Sequence, residues 1–235
     1  MPWAKWATGI SVMLMAIALF AGRNEISGVS IEVALTDPPE IEYRRADAPA
    51  VKNDSENRWL RIGIEYIPQS VRIEPPVLSR ERGKLRLERN GFFDGMSVKL
   101  RVLIDTGIKL GTRPVYGMYT GEVSFFTVKR DGKKHLIEMF IPGKLIDRFS
   151  LTPNGAVRRV SKGDFVTEVI FTVAGREVGR YYSGVANSRA FAVACETVPE
   201  NMVFVGGVFP RSRTPWALLG ADGFDPEIGS PAGRD

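Results

Sequence analysis

Short runs in which apolar and polar residues alternate with a period of two dominate this sequence. In Met96–Asp105, Val98, Leu100, Val102 and Ile104 alternate with Ser97, Lys99 and Arg101. Successive side chains on a strand point to opposite faces, so this pattern predicts a strand buried on one face and wet on the other. The same signature predicts strands at Val29–Leu35, Trp59–Ile67, Lys84–Glu88, Phe191–Cys195 and Met202–Val208. At Val71–Val77 the pattern is interrupted by Pro75 and Pro76, which confines that segment to a sheet edge. Two hairpins are expected. Asp131-Gly132 between Val123–Arg130 and Lys133–Ile141 has the composition of a type I′ turn, and Ala174-Gly175 joins Phe165–Val173 to Glu177–Ser183. A helical turn at Gly143–Arg148 would carry the chain from one sheet to another. About nine or ten such strands, with almost no helical periodicity, define an all-β sandwich or barrel. The unequal connections favour the sandwich.

Residues 1–22 stand apart. Trp6 to Gly22 carries no charge, lies between Lys5 and Arg23, and is the expected signal peptide or membrane anchor. Cleavage after Ala21 or Gly22 would leave Leu19 or Phe20 where a small residue is preferred. No cysteine follows the run, and no acid lies five residues after Gly9, so neither a lipoprotein nor a standard prepilin leader is expected. One domain then occupies 23–219, with 36–57 as a polar, proline-bearing loop and 220–235 as a flexible tail. The single cysteine, Cys195, excludes an internal disulfide framework, and its apolar neighbours point to a buried, inert thiol. A net charge of +5 is spread along the chain and calls for no nucleic-acid partner.

The residues that could carry chemistry are sparse. His135 is the sole histidine and, placed just after the Asp131-Gly132 turn, reads as a hairpin surface residue. Without a second histidine or a reactive cysteine, no zinc site and no histidine-assisted nucleophile has its partners. No nucleophile elbow, phosphate-binding glycine loop or dinucleotide fingerprint occurs. No catalytic residue, metal ligand or cofactor is therefore assigned. Asp222, Asp225 and Glu227 lack the ligand ladder of a calcium loop, and Asn53-Asp-Ser55 matches a glycosylation acceptor only formally. The candidate binding residues are basic and aromatic. At strand spacing Arg80, Arg82, Lys84 and Arg86 share one face, which is either a solvated surface or a site for an anionic glycan or other polyanion. Trp59, Tyr116, Tyr119, Tyr181, Tyr182 and Trp216 could stack on sugars. Trp216, in irregular sequence after Arg211 and Arg213, is either a plug closing the end of the core or an interaction site.

Taken in order, the leader, the first strand, the proline- and aspartate-bearing loop, Trp59-Leu-Arg-Ile-Gly-Ile-Glu-Tyr, Gly95-Met-Ser-Val-Lys-Leu-Arg-Val-Leu-Ile and Arg213-Thr-Pro-Trp-Ala-Leu-Leu form a pattern. Over Val29 to Leu219 it resembles the pilus-associated, immunoglobulin-like proteins of Verrucomicrobia, known from Akkermansia. The resemblance implies an immunoglobulin-like antiparallel β-sandwich, exported to the periplasm, cell envelope or cell surface, without enzymatic activity. It also implies envelope or pilus proteins as partners, and membrane contact only through the N-terminal segment. The missing prepilin leader fits an accessory protein better than a filament subunit.

Overall fold

A computed structural model describes residues 25–37, 58–71, 77–81, 84–88, 91–146, 148, 160–218 and 227–228. The leader, most of the 36–57 loop, Asn53, Arg82, Asp222 and Asp225 lie outside the described residues. In chain order the elements are β1 (Ile26–Thr36), β2 (Trp59–Pro68), β3 (Val77–Glu81), β4 (Lys84–Glu88), β5 (Phe92–Leu110), β6 (Arg113–Lys129) and β7 (His135–Ile141). They continue with α1 (Gly143–Ile146), β8 (Phe165–Val173), β9 (Arg176–Ser183), α2 (Ser188–Cys195), β10 (Val203–Val205), β11 (Phe209–Pro210) and β12 (Glu227–Ile228).

These strands form the expected sandwich. One sheet has the order β1-β2-β7-β11; the other runs β10-β6-β5-β8-β9, with β12 added to the β10 side of β6. The period-two pattern sets the inner faces. Leu60, Ile62, Ile64 and Tyr66 of β2 meet Val98, Leu100, Val102 and Ile104 of β5 in one core, all fully buried. Inner-face aromatics finish the corners. The Tyr181 hydroxyl donates to the Ile26 carbonyl (2.7 Å), tying β9 to β1, and Tyr119 donates to the Leu145 carbonyl (2.7 Å), tying β6 to the α1 turn. That turn does carry the chain from the first sheet to the second. No helix among the described residues is long and apolar enough to cross a membrane.

Two expectations about local structure are corrected. Asp131-Gly132 does not close a hairpin, because β6 and β7 belong to different sheets. A type I′ turn needs positive φ at both central residues, and here only Gly132 has it (71°). Asp131 instead accepts a hydrogen bond from the Lys133 amide (2.9 Å), a local turn that aims the chain across the sandwich. The segment Phe191–Cys195 is not a strand but the second half of α2. Asn187 caps that helix by accepting from the Ala190 amide (3.0 Å), and three alanines favour it. The Ala174-Gly175 hairpin forms as expected, with φ of 49° and 79° at its two central residues. A hairpin that sequence reading passed over joins β5 to β6 through Gly111-Thr112, with Leu110 paired to Arg113.

Candidate interaction sites

The outer face of the larger sheet is divided by α2. Phe191 of this helix packs on Leu103 of β5 and Val166 of β8, forming a second small core with half-buried Tyr116, Met118 and Tyr182 around it. At its margin a rung crosses three strands, pairing Arg101 with Glu168 and Glu168 with Tyr182. Glu168 is 1% exposed, yet both its oxygens are engaged. One accepts from Nε and Nη2 of Arg101, and the other accepts from Nη1 of Arg180 (2.9 Å). The rest of the Arg180 fork grips Glu177 at 2.6 and 2.9 Å, which holds that guanidinium protonated and the Glu177 carboxyl below the usual range. Arg101 also lies over the Phe191 ring, 5.0 Å from its centroid. A buried carboxylate needs this degree of pairing to stay charged. Between this ladder and α2 lies an open cleft of about 470 Å³, with Cys195 in its wall. Cys195 is half-buried rather than buried as expected, and burial pushes its thiol up.

Beyond the rung, β5 and β6 outrun their neighbours. Pairing of β5 with β8 stops at Ile104, whereas pairing with β6 continues to Leu110. The hairpin therefore projects by about 15–20 Å at a strand's rise per residue. Its root is kinked at Gly107 (φ 76°). Asp105 accepts from the Gly107 amide (2.7 Å), and Thr106 donates to the Val115 carbonyl (2.8 Å). Arg113 anchors the arm to α2 through the Val193 carbonyl (2.7 Å) and Glu196 (3.0 Å). Ile108, Leu110 and Val193 are 40%, 68% and 43% exposed.

The outer face of the smaller sheet is covered by the segment 211–218. Trp216 is buried, stacked on Phe140 (4.3 Å between centroids) and set edge-on to Trp59 (5.4 Å). Arg211 donates to the Trp216 carbonyl (3.2 Å) and lies 3.7 Å from Glu138, which also pairs with Arg61. Trp216 is thus neither a plug in the end of the core nor a ring presented to solvent. It straps the outer face of β2 and β7, away from the main core.

The basic run does not lie along one strand. Arg80 is in β3, Lys84 and Arg86 are in β4, and the chain reverses between Glu81 and Lys84. Arg80 is paired with Leu85, Arg86 with Ser79 and Lys84 with Glu81. The hairpin forms a separate two-stranded sheet, and residues paired across an antiparallel ladder share a face, so Arg80 falls on the face of Leu85 while Lys84 and Arg86 fall on the other; the expected single basic face does not form. His135 is not a surface residue either. Its ring packs 5.4 Å from that of Tyr66, and Nε2 is 3.3 Å from Asp131. Burial pushes the Asp131 carboxyl up, but the Lys133 amide and His135 outweigh it and hold the carboxyl below its usual range. Among the described residues no group of three or more histidine, cysteine, aspartate or glutamate side chains is placed to hold a metal.

A β-sandwich with two capped outer faces is the class this architecture defines. No family model matches the chain, and no curated protein matches it. Among solved structures, a crystal structure of a protein from Akkermansia muciniphila superposes with a TM-score of 0.53, over 87% of this chain and 94% of that one. At 14% identity the likeness is one of fold.

Proposed function

We propose that this chain is a non-enzymatic protein exported to the cell envelope or surface, where it acts through protein–protein contacts as an accessory to pili. The observation that carries this reading is the character of its exposed apolar side chains. Among the described residues these are Leu35, Leu78, Ile108, Leu110, Val193, Val203, Val205 and one aromatic, Phe126. Trp59, Trp216 and the tyrosines from 66 to 182 are all buried or half-buried. Sugar recognition by a sandwich relies on exposed tryptophan or tyrosine faces, whereas aliphatic groups at the end of a projecting arm suit a protein partner. The β-sandwich likeness to the Akkermansia structure supports the same reading. Strand edges support it less. The outer edge of β1 mixes exposed Ser27, Ser30 and Glu32 with Leu35, and among the described residues the most exposed apolar side chain on an edge strand is Val205 of the three-residue β10, at 85%.

Affinity capture from envelope extract tests the proposal, with the wild-type chain and Leu110→Asp as paired baits. Recovery of a pilus or secretion component by the wild type, lost with Leu110→Asp at unchanged melting temperature, is the expected outcome. Capture of polysaccharide alone would sink it.

A further inference from the structure

β3 and β4 pair with each other and belong to neither sheet of the sandwich. A lone two-stranded hairpin is marginal in water and gains stability by laying a face on something apolar. The ladder sorts its residues. Leu78 is paired with Leu87 and Arg80 with Leu85, so three leucines and one arginine share a face. Val77 with Glu88, Ser79 with Arg86 and Glu81 with Lys84 take the other. Leu78 is 65% exposed. The charge around the leucines is lopsided, with five cations and two acids in residues 77–89. The place of this ribbon in the fold narrows its partner. Gln69 follows β2 and Gly91 precedes β5, so the two bracket the excursion that contains the ribbon. The Gln69 amide donates to the Glu25 carbonyl (2.8 Å), while Arg130 donates from its amide to the Gly91 carbonyl (2.9 Å) and from Nε to the Gln69 carbonyl (3.3 Å). Glu25, Gln69 and Gly91 therefore cluster at one end of the sandwich. The apolar run ending at Gly22, expected to be a leader or anchor, is separated from Glu25 by Arg23 and Asn24 alone. The arm lies at the opposite end of β5, which starts beside Gly91 and finishes at Leu110.

We infer that the ribbon docks on an anionic lipid bilayer, with the face of Leu78, Leu85 and Leu87 in the interface and Arg80, Lys84 and Arg86 among the headgroups. Burial of an apolar face with cations around it is how interfacial elements hold to anionic membranes. The headgroup layer is about 5–8 Å deep on each side of a bilayer, so cations on either face of a single ribbon fall within it. An acidic glycan would use the cations and leave the leucines in water. This docking gives the chain a membrane contact besides its N-terminal segment and turns the arm outward, away from the lipid. It does not rest on the proposed protein partner, because the capture experiment alters Leu110 at the other end, and a failed capture leaves it standing.

The test places the full chain on vesicles of phosphatidylcholine alone or with about 30% phosphatidylglycerol, an anionic surface of the kind basic segments sense. In a Cys195→Ser background, Leu78→Cys or Val205→Cys carries the apolar fluorophore NBD, and quenching by doxyl-labelled lipid reports immersion. Val205 is paired with Thr120, midway along β6, and serves as the control. The label at 78 is expected to lose at least about half its emission on the anionic vesicles, and the label at 205 to be unaffected. Lys84→Gln combined with Arg86→Gln leaves the leucine face whole. It should lower the ratio of immersed to free label at 78 about 25-fold, or about fivefold for each charge. Equal quenching of the two labels, the same quenching at 78 on neutral lipid, or an unchanged ratio in the double variant would overturn the inference. So would a response of the label at 78 to dextran sulfate in solution with none to vesicles, which would mark a polyanion site instead.

Discussion

Replacing Trp216 by alanine separates a packing role from a binding one. Trp216 is 9% exposed, its ring covered by Phe140 on one face and touched by the edge of Trp59. Burial of a tryptophan removes roughly 200 Å² from water, which at about 25 cal/mol per Å² sets an upper value near 5 kcal/mol. The strap is peripheral and can close partly over the gap, so the expected loss is about 3–4 kcal/mol, at the low end for aromatic truncation. For a domain of roughly 200 residues each kcal/mol moves the melting temperature by about 3 °C, giving a fall of roughly 10 °C. Circular-dichroism melts and urea titrations measure both quantities. Trp216→Phe keeps a ring on Phe140 and should lose less than half as much. A melting temperature within about 2 °C of wild type for Trp216→Ala would refute the packing argument, since so small a shift is typical of surface substitutions.

Four further outcomes follow from the geometry. Glu168→Gln leaves two guanidiniums facing a neutral amide and should cost about 2–4 kcal/mol in urea unfolding. Glu177→Gln, which breaks an exposed pair, should cost under about 1 kcal/mol. Ala174 holds a left-handed conformation (φ 49°) that glycine adopts without strain, so Ala174→Gly should raise stability by about 0.5–1 kcal/mol in the same assay. Burial, opposed by Arg148, pushes the Tyr119 phenol up to about 12 from 10.0. An acid whose folded value is raised contributes fully below its unfolded value. Stability should therefore hold to about pH 10, then fall by about 2–3 kcal/mol as pH rises through 12. In Tyr119→Phe that alkaline slope should flatten.

The inner faces of the sandwich were legible because alternation reports burial directly: every second residue of Val98–Ile104 is in the core. What alternation cannot report is which strand pairs with which. Asp131-Gly132 has hairpin composition, but the aspartate side chain, by bonding the Lys133 amide, builds a different turn. Phe191–Cys195 is short and apolar, a pattern that period alone cannot divide between strand and helix. The Asn187 cap four residues earlier was the signal that could have decided it. The basic run misled for a related reason, since the chain reverses between Glu81 and Lys84 and period two cannot continue through a reversal. The outer-face devices were harder still. Glu168 looks like any solvent-facing acid in an alternating strand until α2 and two arginines close over it. Nothing local to Trp216 says that its partners are Trp59 and Phe140, 157 and 76 positions away.

Those separations have a consequence for how the chain reaches its native state. The edge of β6 is completed by β10 and β12, and the outer face of β2 and β7 by the strap after β11, so the last part of the chain finishes both sheets. Contacts this distant in sequence form late and slowly, because the intervening loop must close first. A chain emerging from a ribosome or a translocon would carry Trp59 and Phe140 uncovered until residue 216 had followed. Unless something shields that patch during the interval, it is where a half-made molecule would stick to another.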